Sequence, residues 1–271
     1  MNTIILRPYI VSAVFVAAWT VCGWLFRLGP VSYSLIGMPF VVAFQLVICR
    51  RPVHQLWVRD AQSFRLDRLG FLLAIVIIAV NAYLFWPFLQ PWHPWGALFM
   101  LILIIGGVGA AYALRQQRAD KFKQALPSFT IAVLIGCAVV AILAVTSKHS
   151  PNLSPSMLAM LFKNFVRLLP ATFICDEVVF RGLLDSYVAP SSGRRRQEWI
   201  SAIFISALWG FWHFPRQALF DSREFLNFAA LFAGFLPLGV SLSFCWRKNG
   251  TLLLPGVAHA LIDAYRDTVL H

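Results

Sequence analysis

In the last third of this chain, carboxylates and imidazoles stand inside otherwise apolar sequence. The stretch CDEVVFRGLLD carries Asp176, Glu177, Arg181 and Asp185, SALWGFWHFPRQ carries His213 and Arg216, and LLLPGVAHALIDA carries His259 and Asp263, with Arg266 and Asp267 just beyond. On a helix, residues four apart share a face while neighbours sit about 100° apart. Glu177, Arg181 and Asp185 are therefore expected to form one stripe in which Arg181 neutralises both acids. Asp176 then points to an adjoining face as the free base, with Glu177 orienting it. His259 and Asp263 share a face in the same way. Counted from the ends of their spans, Asp176 and His213 lie at one depth, with His259 somewhat nearer the end where basic residues cluster. Carboxylates and histidines in a dry cavity can deprotonate a water and stabilise a carbonyl oxyanion, which together make peptide hydrolysis.

Other chemistry is open to the same residues. Two histidines and two acids also suit a zinc ion with an open position for water, which makes zinc the alternative cofactor to none. There is no H-E-x-x-H, however, and the ligands have to come from three helices. No serine or cysteine stands in a nucleophile arrangement; Cys175, beside Asp176, shares no helical face with a histidine. A buried ion network that only holds helices together, a proton relay or transporter, and a non-catalytic immunity or assembly protein are the remaining readings. Transport favours paired inverted repeats, and the sequence has no internal repeat.

The elements that must position these groups belong to a membrane protein. Of 271 residues, 59% are hydrophobic, 15% aromatic and only 13% charged. That charged share is half of the roughly 25% found in a soluble domain, too little to cover a water-facing surface. A bilayer core about 30 Å thick needs about 20 apolar residues per helix. Nine candidate spans run roughly over 8–28, 31–49, 69–90, 95–114, 126–146, 158–189, 199–219, 225–246 and 252–270. The fold class is all-α, a polytopic transmembrane bundle of about 8–9 spans with its catalytic core in the C-terminal helices. Residues 1–150 read as scaffold and 151–271 as the core of one integrated membrane domain. Ionisable residues at membrane depth cost roughly 2.5–3.5 kcal/mol each, so their concentration in the second part marks it as the working part.

The net charge of +12 does not point to nucleic acid, because the basic residues alternate loop by loop. Arg7, the 50–68 connection, the 115–123 connection, Arg194 to Arg196 and Arg247 with Lys248 all fall on one side. By the positive-inside rule this places the N-terminus in the cytoplasm. The expected location is a bacterial or archaeal cytoplasmic membrane, with the lipid bilayer as one partner. The five cysteines have no C-x-x-C spacing and read as reduced packing residues. The PWHPW turn at 91–95 reads as an interfacial aromatic anchor.

Three ordered motifs, Asp176-Glu177-x-x-x-Arg181, Trp209-x-x-x-His213 and His259-x-x-x-Asp263, resemble those of the CPBP family of CAAX proteases and bacteriocin-processing enzymes. These are glutamic-type intramembrane endopeptidases, and the likeness extends over about residues 165–266. The resemblance implies that the first acid and the histidine of the second motif, here Asp176 and His213, activate a water. It implies that His259 with Asp263 stabilises the oxyanion, while Glu177 and Arg181 orient the site. It also implies a substrate that is a membrane-associated or lipidated protein or peptide precursor, and no metal. Two departures stand out. Asp176 replaces glutamate and shortens the base by one methylene, so either the backbone compensates, or Glu177 takes the base role, or the chain is a weak or inactive relative. Trp209 replaces phenylalanine, which is expected to alter packing behind His213. Asp263 must be protonated or act by holding His259 as a donor, because a carboxylate repels an oxyanion.

Overall fold

The computed structural model describes residues 3–28, 33–34, 36–84, 86, 89–90, 96–146, 155–189, 195–213 and 222–270. The PWHPW turn and Arg216 lie outside the described residues, as does the side chain of Cys175. Helices dominate: α1 (Thr3–Leu25), α2 (Met38–Ala43) with a π-helical turn (Phe44–Ile48), α3 (Arg68–Leu84), α4 (Gly96–Arg115), α5 (Ala119–Thr146), α6 (Pro155–Ala171), α7 (Arg195–Trp212), α8 (Ser222–Asn249) and α9 (Leu253–Leu270). Among the described residues there is no strand, only a single bridge between Val58 and Thr251.

The all-helical class follows from apolar runs longer than a buried strand needs, uninterrupted by turn residues. Three helices are long and apolar enough to cross a membrane, through Leu6–Leu25, Gly96–Arg115 and Ala119–Val145. Two shorter apolar helices cover Met38–Ile48 and Arg68–Leu84. Leu134, Ile142 and Val145 of α5 are each more than 60% exposed. A water-facing helix does not present such a face, and lipid supplies the missing partner. The chain is an integral membrane protein. The α6, α7, α8 and α9 helices are more polar, and some of their charges meet across helices, as Arg167 of α6 meets Asp267 of α9 at 3.5 Å. The α8 helix packs on α5 and α7, and α9 packs on α5 and α6.

The connection 50–68, polar in sequence, is a docked element. Its short 3-10 turn, Val53–Leu56, leads into Trp57 and Val58, which pair with the turn between α8 and α9. The Arg59 amide donates to the Gly250 carbonyl at 2.8 Å and the Leu252 amide to the Trp57 carbonyl at 2.9 Å. Asp67, just before α3, is clasped by Arg115 at the end of α4, which holds its carboxyl below the usual carboxylate range. Gly182 lies against the docked element so closely that a β-carbon would stand 2.3 Å from the Leu56 carbonyl oxygen. Backbone cannot give way as a side-chain tip can. Gly182→Ala is therefore expected to cost about 1–3 kcal/mol and to speed hydrogen exchange at the Arg59 and Leu252 amides. A variant with the melting temperature and protection of the wild type would show that the docked element accommodates the β-carbon and that the close approach at Gly182 is not required.

Candidate active site

The acid pair sits where the helical ladder changes pitch. Pro170 near the end of α6 lacks the N–H that would continue the i→i−4 pattern. The Thr172 hydroxyl donates instead to the Leu169 carbonyl at 2.9 Å, and it lies 3.4 Å from the Gly256 carbonyl of α9. From there the chain continues in wide π-helical turns, Thr172–Asp176 and Val178–Asp185. Such turns are uncommon and recur at functional sites. The α9 helix approaches closely because Gly256 leaves room for the Phe173 ring, which a β-carbon would meet at 2.5 Å. One turn further along α9 is His259.

His259 is the hub of the cluster. Its Nδ1 lies 2.9 Å from Glu177 Oε1. Since an ionised carboxylate only accepts, Nδ1 carries the hydrogen and donates it. Its Nε2 lies 3.6 Å from Asp176 Oδ2 and 3.7 Å from Asp263 Oδ2. The second Glu177 oxygen faces Arg181 Nε at 3.6 Å. Glu177, Arg181 and His259 are almost wholly buried, and the Asp176 side chain is only slightly more open. His259 is thus level with the acid pair rather than nearer the basic end as its position in the span suggests.

The expected stripe holds for one of its two pairs. Arg181 faces Glu177, but Asp185 belongs to α8: Arg247 donates to its two oxygens at 2.6 and 2.9 Å. Arg247 reaches it from the last turn of α8, and a partner 62 positions away cannot be read from spacing within one helix. Asp263 departs from expectation in another way. Its Oδ1 accepts from Arg266 at 2.7 Å, so its charge is paired, and of the two possibilities the sequence leaves open it suits the role of holding His259.

His213 joins the cluster through Trp209. The indole ring stands edge-on to both imidazoles, its centroid 5.5 Å from that of His213 and 5.2 Å from that of His259. The same ring lies 5.0 Å beneath the Arg181 guanidinium, a cation–π contact that a desolvated arginine exploits well. Trp209 therefore does more than pack behind His213. His213 Nδ1 is 2.8 Å from the Trp209 carbonyl, and its ring stacks on Phe235 of α8. The end of α7 is held from the N-terminal part of the chain. The Tyr33 hydroxyl donates to the Trp212 carbonyl at 2.7 Å, and Trp19 Nε1 donates to the Tyr33 carbonyl at 2.8 Å. Sequence reasoning missed Tyr33 and Trp19, which are aromatic residues in an aromatic-rich half with no spacing signal. It also left unassigned Arg266, whose i+3 position relative to Asp263 was such a signal.

Five of the site residues expected from sequence, Asp176, Glu177, Arg181, His259 and Asp263, therefore meet at one locus through direct contacts, and the sixth, His213, is joined to it through Trp209. Among the described residues no group of three or more His, Cys, Asp and Glu side chains is arranged to hold a metal ion.

Fold and site together define a helical membrane protein with an acid and histidine cluster buried among its C-terminal helices. Residues 158–265 match one family model, described as type II CAAX prenyl endopeptidase Rce1-like. The matched stretch contains all three motifs and agrees with the resemblance they carry. No curated protein and no solved structure matches the chain.

Proposed function

We propose that this protein is an intramembrane endopeptidase that hydrolyses a peptide bond of a membrane-associated or lipidated precursor, using a water activated by a carboxylate and a histidine. The observation that carries the reading is the convergence of Asp176 and Asp263 on His259 Nε2 while Nδ1 is committed to Glu177. In the proposed mechanism both ring nitrogens of His259 carry hydrogen: Nδ1–H donates to Glu177 and Nε2–H to an oxyanion. Asp176, with His213 orienting the water, takes the proton as the water oxygen attacks the scissile carbonyl. The carbonyl oxygen then carries the negative charge beside Nε2–H. As the tetrahedral intermediate collapses, the C–N bond breaks and Asp176 returns its proton to the leaving nitrogen. Glu177, with Arg181 behind it, fixes the ring plane of His259.

The proposed chemistry is glutamic-type in arrangement and needs no metal, with zinc on the same residues as the alternative. The protein is proposed to cross the membrane eight to nine times, N-terminus in the cytoplasm, with residues 151–271 as the catalytic core behind an N-terminal scaffold. The test compares peptide termini in membranes and medium from cells carrying wild-type protein or His213→Ala, with a chelator arm on isolated membranes. An uncleaved precursor that accumulates only in the variant, with cleavage by wild-type membranes surviving chelation, is the expected result. Loss of cleavage on chelation would favour zinc. Identical termini from two abundant, folded proteins would favour the non-catalytic reading, for which Asp176 in place of glutamate is the supporting feature.

A further inference from the structure

Away from the acid and histidine cluster, a cavity of about 720 Å³ opens where the first half of α5, the first turns of α7 and the last turns of α8 meet. Its lining is divided by chemistry. Arg59, Arg195 and Lys248 supply cations, opposed within the lining by Glu198, whereas Ile131, Val240 and Phe244 supply an apolar wall. The two parts are separated along the helices. Val240 precedes Lys248 by eight residues on α8, about 12 Å at 1.5 Å per residue, so the cations stand at one end and the apolar wall runs away from them into the bundle.

The fourth cation in the lining, Arg247, is already spent on structure. It holds Asp185, the Glu198 carbonyl and the Ser201 hydroxyl, and its guanidinium lies 5.6 Å over the Phe244 ring. That network fixes the floor of the cavity and ties α7 to α8. Lys248 donates one hydrogen to Ser128 of α5 at 3.1 Å, which aims the ammonium across the cavity mouth with two donors to spare. Ile131 is half exposed, and Trp199, whose ring packs 4.8 Å from Phe244, is 45% exposed. The apolar wall is thus continuous with the lipid-facing surface. Arg59, Arg195 and Lys248 come from three separate basic clusters that the loop-by-loop charge pattern puts on one side, and here they surround one space.

From this juxtaposition of three cations and a lipid-open apolar wall, we infer that the cavity is a binding site for a phospholipid with an anionic head. The phosphate sits between Lys248, Arg195 and Arg59, and an acyl chain lies along Val240, Phe244 and Ile131. Basic pockets between helix ends select anionic headgroups for the same electrostatic reason. A free phosphate ester offers the same head without the chain, and the apolar wall argues for the lipid.

The test is native mass spectrometry of the purified full-length protein in detergent, titrated with dioleoyl phosphatidylglycerol, dioleoyl phosphatidylcholine or glycerol 3-phosphate. Selective binding of phosphatidylglycerol is expected. Replacing both Arg195 and Lys248 by Gln should weaken that binding about 30-fold, at roughly a factor of five per cation. Val240→Trp, which fills the apolar arm, should also weaken it. A diazirine-bearing phosphatidylglycerol should crosslink the wild-type protein within 119–146 and 222–249, a readout that needs no variant to fold. Equal affinity for the two lipids, displacement of phosphatidylglycerol by equimolar glycerol 3-phosphate, unchanged binding by folded variants, or crosslinks confined to other segments would each overturn the proposal.

Discussion

His259→Ala is expected to lower kcat on a cleaved precursor about a thousandfold while leaving KM within a few-fold. Loss of one preorganised oxyanion donor costs about 10²–10³ in rate, and this side chain also links Asp176, Glu177 and Asp263. Glu177→Gln should cost less, about a hundredfold, because glutamine preserves the volume and can still accept from Nδ1 through its carbonyl oxygen. Asp263→Asn should cost least, about tenfold, since Arg266 keeps Asp267 and His259 keeps Glu177. The order His259, Glu177, Asp263 is the sharp part of the expectation. It is measured by steady-state cleavage in detergent with each variant's folding checked by elution volume and helical circular dichroism. A folded His259→Ala protein that cleaves at the wild-type rate would remove the imidazole from the chemistry. An Asp263→Asn protein as crippled as His259→Ala would mean that the carboxylate, not Glu177, sets the imidazole.

What the sequence made legible was whatever depends on composition and on spacing within one helix. Too few charges to face water gave a helical membrane protein, and Glu177 and Arg181 at i, i+4 gave a pair that the structure forms at 3.6 Å. His259 and Asp263 followed the same rule. What could not be read depended on docking. Asp185 left the stripe for Arg247 of α8, 62 positions away, which spacing within one helix cannot reveal. The contact between His259 and Glu177 joins residues 82 positions apart and depends on Gly256 letting α9 settle against Phe173. A glycine in an apolar helix has many possible reasons, so this one was invisible until its neighbour was known. Trp209 was expected to alter packing behind His213, but its ring also touches Arg181 and His259.

Arg181→Met should be the most destabilising of the site substitutions, by about 3–5 kcal/mol, because removing one partner of a buried ion pair strands the other. The geometry makes this case severe. The Arg181 side chain is fully buried, its nitrogens make no hydrogen bond among the described residues, and Glu177 Oε2 has no other described partner. Its stabilisation comes from the opposed charge at 3.6 Å and from the Trp209 face. Methionine fits the volume and keeps the contact with the indole, so lost packing contributes little and lost charge dominates. The decisive comparison is therefore the double variant. Replacing Glu177 by Gln alongside Arg181→Met removes the stranded charge, and the pair should recover a large part of the lost stability, a coupling that a double-mutant cycle isolates. Thermal or urea unfolding in detergent measures all four proteins. If Arg181→Met unfolds with the wild type, or if the double variant is weaker than either single change combined, the guanidinium is held by something other than Glu177. Stability that recovers without activity is the expected pairing, because the double variant still carries the Glu177→Gln change, whose cost in rate falls on the contact with His259.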